Sequence, residues 1–248
     1  MVLTVKDAIE QEKNLSEFIP FVEIAIQVKQ LPFHHQVAFF CSCCERMLPI
    51  WTLIDGCDDS LDMSNLRATM DELWQIAGGM DIQELEIESL TEKIATSIED
   101  YEYNYSNDDD CEEIHKQAIS LATHVSDMLN QVVGYVVITL SDPLSDNKIN
   151  LFLKIFVTLI FTIYEYLDIH FYSLDSLWEL KKSRKDQDVI FLNHLLTQSE
   201  LKKEQSDLNF LTRTLDLTPE LLSEFRAKSC PNGVSVLGSI DKVRATLS

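Results

Sequence analysis

The chain has 248 residues, of which 46% are hydrophobic and 25% are charged, so it is long enough to bury a substantial core. Glycine and proline occur only six times each, which argues against collagen-like, low-complexity and turn-rich all-β chains. The net charge of −21 argues against nucleic acid as a partner, because phosphate binding requires lysine and arginine.

The N-terminal part of the chain has apolar residues at three- and four-residue steps, which predicts helices. The first strong pattern follows Ser16, the predicted N-cap, and has Pro20 in its first turn. The next segment, Phe33 to Ile54, is apolar on nearly all sides and is predicted to be a central, buried helix. Pro49 should end or kink this helix near Leu48.

The rest of the chain continues the helical pattern. Its predicted helical segments are Leu61 to Ile76 (ending at Gly78-Gly79), Ile82 to Tyr105 with a narrow apolar stripe, Cys111 to Leu140, Leu151 to Tyr172, Leu174 to Leu201, and a segment that starts at Thr218-Pro219. The sequence therefore predicts an all-α single domain over residues 1–248, a multi-helix bundle of about eight to ten helices.

The most apolar segment, Leu151 to Tyr172, is not expected to span a membrane. A spanning helix needs about 20 mostly uncharged residues, and Lys154, Glu165 and Asp168 interrupt this one. A buried or partner-facing helix is predicted instead.

The cysteines are expected to be reduced thiols in a bacterial-type cytosol, because the N-terminus lacks a basic region followed by an apolar run. Cys41 and Cys44 form a C-x-x-C pair just after His34 and His35, which leaves a mixed metal site or redox chemistry as an alternative. Because no second C-x-x-C pair exists, the favoured interpretation is small apolar residues on a buried helix, with no metal and no cofactor.

Sequence motifs for catalysis are absent. The chain has no G-x-x-x-x-G-K-[ST], G-x-G-x-x-G, G-x-S-x-G or H-E-x-x-H. His115 and His124 are nine residues apart, too far to share one metal ion without a further element, and His170 and His194 lie in apolar contexts. The protein is therefore predicted not to be an enzyme, with a cysteine or metal centre as the alternative.

The negative charge is concentrated in an acidic segment, residues 55–113. It holds 19 acidic and two basic residues, a net charge of −17, whereas the rest of the chain carries −4. Three interpretations remain: a solvated face, a docking surface for a basic protein, or a cation site. The residues that would form the docking face are Asp55, Asp58, Asp59, Asp62, Asp108, Asp109, Asp110, Glu112 and Glu113.

The stretch HHQVAFFCSCCERMLPIW at 34–51 resembles the opening helix of the YjaG-like bacterial family, catalogued as domain of unknown function 416. The matching residues are Val37, Phe39, Cys44, Glu45, Arg46, Met47 and Pro49. Arg67, Asp71 and Trp74 in RATMDELW match a second family pattern, and weaker similarity lies at 118–129 and 231–238. The resemblance implies an all-α fold and no established reaction, and it departs at residues 142–185, an apparent insertion.

The matching polar residues predict a structural polar cluster of Glu45, Arg46, Arg67, Asp71 and Trp74. Glu45 and Arg46 are adjacent and point about 100° apart on a helix, so each should pair across helices, with a group such as Arg67 or Asp71. Arg67 and Asp71 are four residues apart and can also pair on one helix face. The alternative to a clamp between helices is a functional pocket.

These observations predict a non-enzymatic cytoplasmic protein whose acidic face docks a basic protein partner. One specific form is an immunity protein that neutralises a bacterial toxin, because an acidic inhibitor competes with nucleic acid for a basic toxin surface. The alternative is a homo-oligomeric structural or regulatory protein that associates through the apolar helix at 151–172.

Overall fold

Eight helices account for most of the residues that a computed structural model of the protein describes. The described residues are 4–12, 15–16, 18–48, 63–80, 89, 92, 113–142, 147–171 and 191–229; at 5, 11, 63, 113–122, 147 and 164–171 only the backbone is described. The helices are α1 (Val5–Gln11), α2 (Ile19–Lys29), α3 (Phe33–Met47), α4 (Met63–Ala77), α5 (Glu113–Ser141), α6 (Asn147–Phe171), α7 (Leu195–Arg213) and α8 (Pro219–Ser229).

The fold class is all-α, as the sequence predicts. Within the described ranges there is no strand, and the buried apolar residues of these helices form one continuous core. The prediction of a multi-helix single domain is thereby confirmed. The predicted helix at 82–105 lies outside the described residues, apart from positions 89 and 92.

Proline and glycine set several helix ends where the sequence predicts them. Helix α3 ends at Met47 with Leu48 as its C-cap, directly before Pro49. Helix α4 ends at Ala77 and is followed by two glycines, of which Gly79 has a φ of +90° that a side chain would disfavour. Helix α8 begins at Pro219, as predicted.

The predicted N-cap of α2 is wrong. Helix α2 begins at Ile19 with Phe18 as its N-cap, and Pro20 does lie in the first turn. The Ser16 residue belongs to a preceding turn, which the backbone N–H of Phe18 closes by donating to the carbonyl of Leu15 at 3.0 Å. A capping hydroxyl acts only from the residue that borders the helix, and Ser16 is two residues too early.

Helix α3 is the centre of the molecule. Every residue from His35 to Met47 is buried, and the helix packs against α2, α4, α5, α7 and α8. The prediction of a central buried helix is confirmed. Because such a helix has no solvent face, its polar side chains must find partners inside the protein.

Helices α5 and α6 pack along each other and close the core on one side of α3. An aromatic cluster joins the three helices: the ring of Phe40 lies 5.7 Å from that of Tyr135, 5.4 Å from that of Phe152 and 5.8 Å from that of Phe156, in edge-on contacts. None of the helices in the described ranges is both long and apolar enough to cross a membrane. Helix α6 lies within the segment 142–185, in which the resemblance to the family departs.

Candidate functional site

The most concentrated chemistry in the described residues is a buried polar group between α3 and α7. Three acidic residues of α7, Glu200, Glu204 and Asp207, are spaced so that they lie on one face of that helix. The facing turn of α3 supplies Cys43 and Arg46, together with the hydroxyl of Ser42. We call these six residues the Arg46 cluster.

Each of the three guanidinium nitrogens of Arg46 donates a hydrogen bond, and the residue is 0% exposed. Its Nε donates to Glu200 Oε1 at 2.7 Å, and its Nη1 donates to Asp207 Oδ2 at 2.7 Å. The same Nη1 donates to Ser42 Oγ at 2.6 Å, and Nη2 donates to Cys43 Sγ at 3.4 Å. One arginine therefore ties the central helix to α7.

Helix α8 also reaches the Arg46 cluster. The hydroxyl of Ser42 donates to Asp207 Oδ2 at 2.6 Å, and Ser229 Oγ of α8 lies 2.9 Å from Ser42 Oγ. Asp207 is the member with most access to solvent, with 11% of its side chain exposed. The cluster thus lies at the junction of three helices.

The charges of the Arg46 cluster do not balance, because one guanidinium faces three carboxyl groups. Burial raises the pKa of Glu204, and the nearby charge of Glu200 raises it further. Burial also raises the pKa of Glu200, although Arg46 opposes that rise. Burial disfavours the charge on Arg46, but Glu200 and Asp207 more than offset this, so the pKa of the guanidinium is raised.

Glu204 differs from the other two acids in its contacts. Neither of its carboxyl oxygens, nor Oε2 of Glu200, has a hydrogen-bond partner in the part of the chain that the structure describes, and all three atoms are buried. Buried polar atoms are normally paired, so these three oxygens mark the incomplete side of the network.

A second polar group surrounds Glu45, the neighbour of Arg46. Glu45 Oε2 accepts from Arg67 at 2.6 Å, while Oε1 accepts from Trp74 Nε1 at 3.1 Å and from Arg226 Nε at 3.1 Å. Asp71 forms an ion pair with Arg226 at 2.5 Å. The structure therefore brings together four of the five residues of the predicted polar cluster and places Arg46 in the separate group described above.

An open groove of about 840 Å³ lies between the end of α4 and the start of α8. Its lining includes Asp71, Trp74, Gly78, Leu222 and Arg226. The guanidinium of Arg226 lies 5.7 Å from the centre of the Trp74 ring, so an aromatic and a cationic group stand together at the groove.

The histidines and cysteines of the alternative mixed metal site are not gathered in one place. His34 Nδ1 lies 2.8 Å from the carbonyl oxygen of Ile76, and His35 Nε2 lies 2.9 Å from that of Thr214. Cys41, Cys43 and Cys44 are buried free thiols, and burial raises the pKa of each.

The residues of the predicted docking face lie outside the described side chains. Residues 55, 58, 59, 62, 108–110 and 112 lie outside the described residues, and Glu113 is described only as the first backbone position of α5. Their role as a docking face stays a prediction.

Sequence reasoning did not identify Glu200, Glu204, Asp207 or Arg226. One signal was present: on α7 the acidic residues occupy the stripe between the buried Leu196 and Leu208, where an amphipathic helix normally has apolar side chains. Acids in a core-facing stripe indicate an internal counter-charge.

Lys29 and Tyr135 form a third polar group, at the solvent edge of the aromatic cluster. The hydroxyl of Tyr135 donates to Gln36 Oε1, and Lys29 Nζ lies 3.4 Å from that hydroxyl. Lys29 Nζ also lies 4.8 Å from the centre of the Phe152 ring. Burial, with a contribution from Lys148, lowers the pKa of Lys29 to about 8, and burial raises the pKa of Tyr135 to about 12.

We expect Arg46→Met to lower the free energy of unfolding by about 3–5 kcal/mol, because it leaves buried carboxylates without a counter-charge. The matched control is Arg67→Met. Arg67 is 41% exposed, and its partner Glu45 keeps Arg226 and Trp74, so we expect a loss of about 1 kcal/mol or less. Urea unfolding followed by circular dichroism measures both, and equal losses would contradict the central role of Arg46.

The stability of the protein should fall between pH 8 and pH 10. The three buried thiols of α3 have a raised pKa, so the folded chain keeps protons in this range that the unfolded chain loses. Lys29 opposes part of this fall, because its lowered pKa makes the unfolded state bind more protons at that group. Above pH 10 the raised pKa of Tyr135 adds to the fall. Thermal unfolding at several pH values measures the slope: Lys29→Met should make the fall steeper, whereas the exposed control Lys154→Met should retain the slope of the unmodified protein.

The chain matches one known family over a region that contains α3 and α4. A family model described as "Protein of unknown function (DUF416)" matches residues 23–149, slightly more than half of the chain. The match contains Glu45, Arg46, Arg67, Asp71 and Trp74, whereas the acidic residues of α7 lie beyond it. No curated protein and no solved structure matches the chain. The resemblance noted in the sequence is confirmed, and the chain belongs to the DUF416 family.

Proposed function

We propose that the protein is a non-enzymatic binding protein that docks a basic protein partner through the acidic segment. The observation that carries this proposal is the segregation of charge: residues 55–113 hold 19 acidic and two basic residues. Concentrating like charge in this way costs stability through self-repulsion, so it calls for a compensating role. Attraction of an oppositely charged partner supplies one, since it speeds association and selects among partners.

Two ion pairs within the described residues join the acidic segment to the rest of the chain. Arg67, one of the two basic residues of the segment, is bound by Glu45, which lies outside it. Asp71, inside the segment, is bound by Arg226, also from outside. These two external partners have opposite charges, so including them leaves the net charge of −17 unchanged. These two ion pairs are therefore compatible with an acidic face that binds a basic partner.

A toxin that acts on nucleic acid is the specific partner class we favour. Such a toxin needs a basic surface for its substrate, and an acidic protein of this kind would occupy that surface. In this form of the proposal the protein is an immunity protein, and neutralisation requires binding alone, without any reaction.

The alternative proposal is self-association through α6. It would need side chains of α6 that already pack inside the chain's own core. The apolar side chains of α6 described as buried in the chain's own core, each at most 1% exposed, are Phe152, Leu153, Ile155, Phe156, Leu159, Ile160 and Ile163. Surface already used inside one chain is not free to bind a second. This observation favours the docking proposal.

Neutralising part of the acidic segment should weaken partner binding. We expect D108N/D109N/D110N to reduce affinity for a basic partner by at least about tenfold at low salt. The control, Glu23→Gln with Asp142→Asn and Asp216→Asn, removes three exposed charges outside the segment and should change affinity by less than about threefold. The partner is captured from the native source at low salt, eluted with a salt step, identified by mass spectrometry and titrated against all three proteins.

The salt dependence provides the decisive comparison. Binding to the unmodified protein should weaken steeply as the salt concentration rises, because exposed charges are screened. Capture of no basic protein, salt-independent binding, or equal weakening by the two triple variants would contradict the proposal.

A double Phe152→Glu, Phe156→Glu variant tests the alternative. Because both rings are buried against Phe40 and each other, we expect loss of cooperative unfolding and of helical circular dichroism. A well-folded monomer formed from a larger wild-type species, measured by light scattering, would instead support self-association through α6.

A further inference from the structure

We propose that Cys43, Glu200 and Glu204 form a binding site for a divalent cation of the zinc class. One ligand atom from each of the three side chains can be chosen so that all three atoms lie within 4.8 Å of one another, and all three residues are buried. No other group of this kind was found within the described residues. This inference is independent of the proposed docking function.

The distances are compatible with an ion at the centre of the three side chains. A point centred between atoms 4.8 Å apart lies about 2.8 Å from each, and zinc binds sulfur at about 2.3 Å and carboxylate oxygen at about 2.0–2.2 Å. The sulfur therefore needs to move inward by at most about 0.5 Å and each oxygen by at most about 0.6–0.8 Å, which small side-chain rotations allow.

The unpaired oxygens of this site point independently to a ligand. Both carboxyl oxygens of Glu204 and Oε2 of Glu200 are buried without a hydrogen-bond partner among the described groups. A protein seldom leaves three such atoms unsatisfied in one place. A cation bound between these two side chains satisfies them together.

The charges also favour a divalent ion. The Arg46 cluster combines one guanidinium with three carboxyl groups, so with all three ionised it carries two uncompensated negative charges in the core. One divalent cation would bring this total to zero, and loss of the Cys43 proton on binding would then leave a single negative charge. An empty site must instead keep protons on its carboxyl groups.

The ligand set indicates which cation fits. A thiolate beside two carboxylates suits zinc and similar borderline ions, whereas calcium and magnesium prefer oxygen alone. Three protein ligands leave one tetrahedral position for water or another group. Arg46 contacts Glu200 at 2.7 Å and Cys43 at 3.4 Å, so it orients both ligands from outside, and its own charge is held by Asp207.

Zinc titration of the full chain tests the site. Protein purified without chelator and exchanged into zinc-free buffer is titrated with Zn²⁺ against a chromophoric chelator. We expect one zinc ion per chain and a rise in the unfolding temperature with zinc concentration. With Co²⁺ in place of zinc, a thiolate-to-cobalt charge-transfer band in the near ultraviolet should report coordination by cysteine.

Two variants and two controls assign the ligands. Glu204→Gln and Cys43→Ser should each weaken zinc binding by at least about 100-fold. Glu204→Gln keeps the side-chain shape and removes a buried charge, so this variant should fold. A loss of zinc binding can then be assigned to the missing ligand. Cys41→Ser and Cys44→Ser alter buried cysteines on the same helix and should retain zinc and the cobalt band.

Three results would overturn the proposal. The first is no zinc retained and no change in unfolding temperature at saturating zinc, which would assign the unpaired oxygens to protonated carboxyl groups. The second is zinc binding that survives both Glu204→Gln and Cys43→Ser. The third is zinc binding that is lost in Cys41→Ser or Cys44→Ser but kept in Cys43→Ser, which would place the ion at the C-x-x-C pair.

Discussion

The ion pairs of Arg46 are the interaction on which the rest of the structure depends. Helix α3 lies at the centre of the bundle and has no solvent face, so its charged side chain can be accommodated only by counter-charges from other helices. Glu200 and Asp207 supply them from α7, and Ser229 extends the network to α8. The positions of α7 and α8 are thus set by the need of Arg46, on α3, for buried counter-charges and hydrogen-bond partners.

Two adjacent residues on α3 carry opposite charges and are bound by counter-charges of opposite sign. Glu45 is held by the cationic side chains of Arg67 and Arg226, whereas its neighbour Arg46 is held by the acids of α7. Rotating α3 by one residue about its axis would bring like charges together: in one direction Arg46 would face the two arginines, and in the other Glu45 would face the acids of α7. Apolar packing alone would tolerate such a rotation better, because α3 is apolar on nearly all sides. The pair Glu45-Arg46 therefore defines the rotation of the central helix.

Local features of the sequence predicted much of the fold, because a proline, a pair of glycines or an apolar run acts within a few residues. Pro49 and Gly78 mark helix ends in this way. The partners of Arg46 could not be predicted, since residues 154 positions apart meet only in the folded chain. The local rule for Asp71 pointed to Arg67, four residues away, yet its ion pair in the structure is with Arg226, and Glu45 binds Arg67.

The wide separation of Arg46 from Glu200 also has a consequence for synthesis of the chain. A ribosome adds about 5–20 residues per second, so roughly 8–30 s pass between the appearance of Arg46 and that of its partner 154 residues later. During that interval α3 can be helical, but it cannot be stably enclosed, because its guanidinium has no counter-charge from α7. The nascent N-terminal half is therefore expected to stay open to chaperones until α7 has left the ribosome.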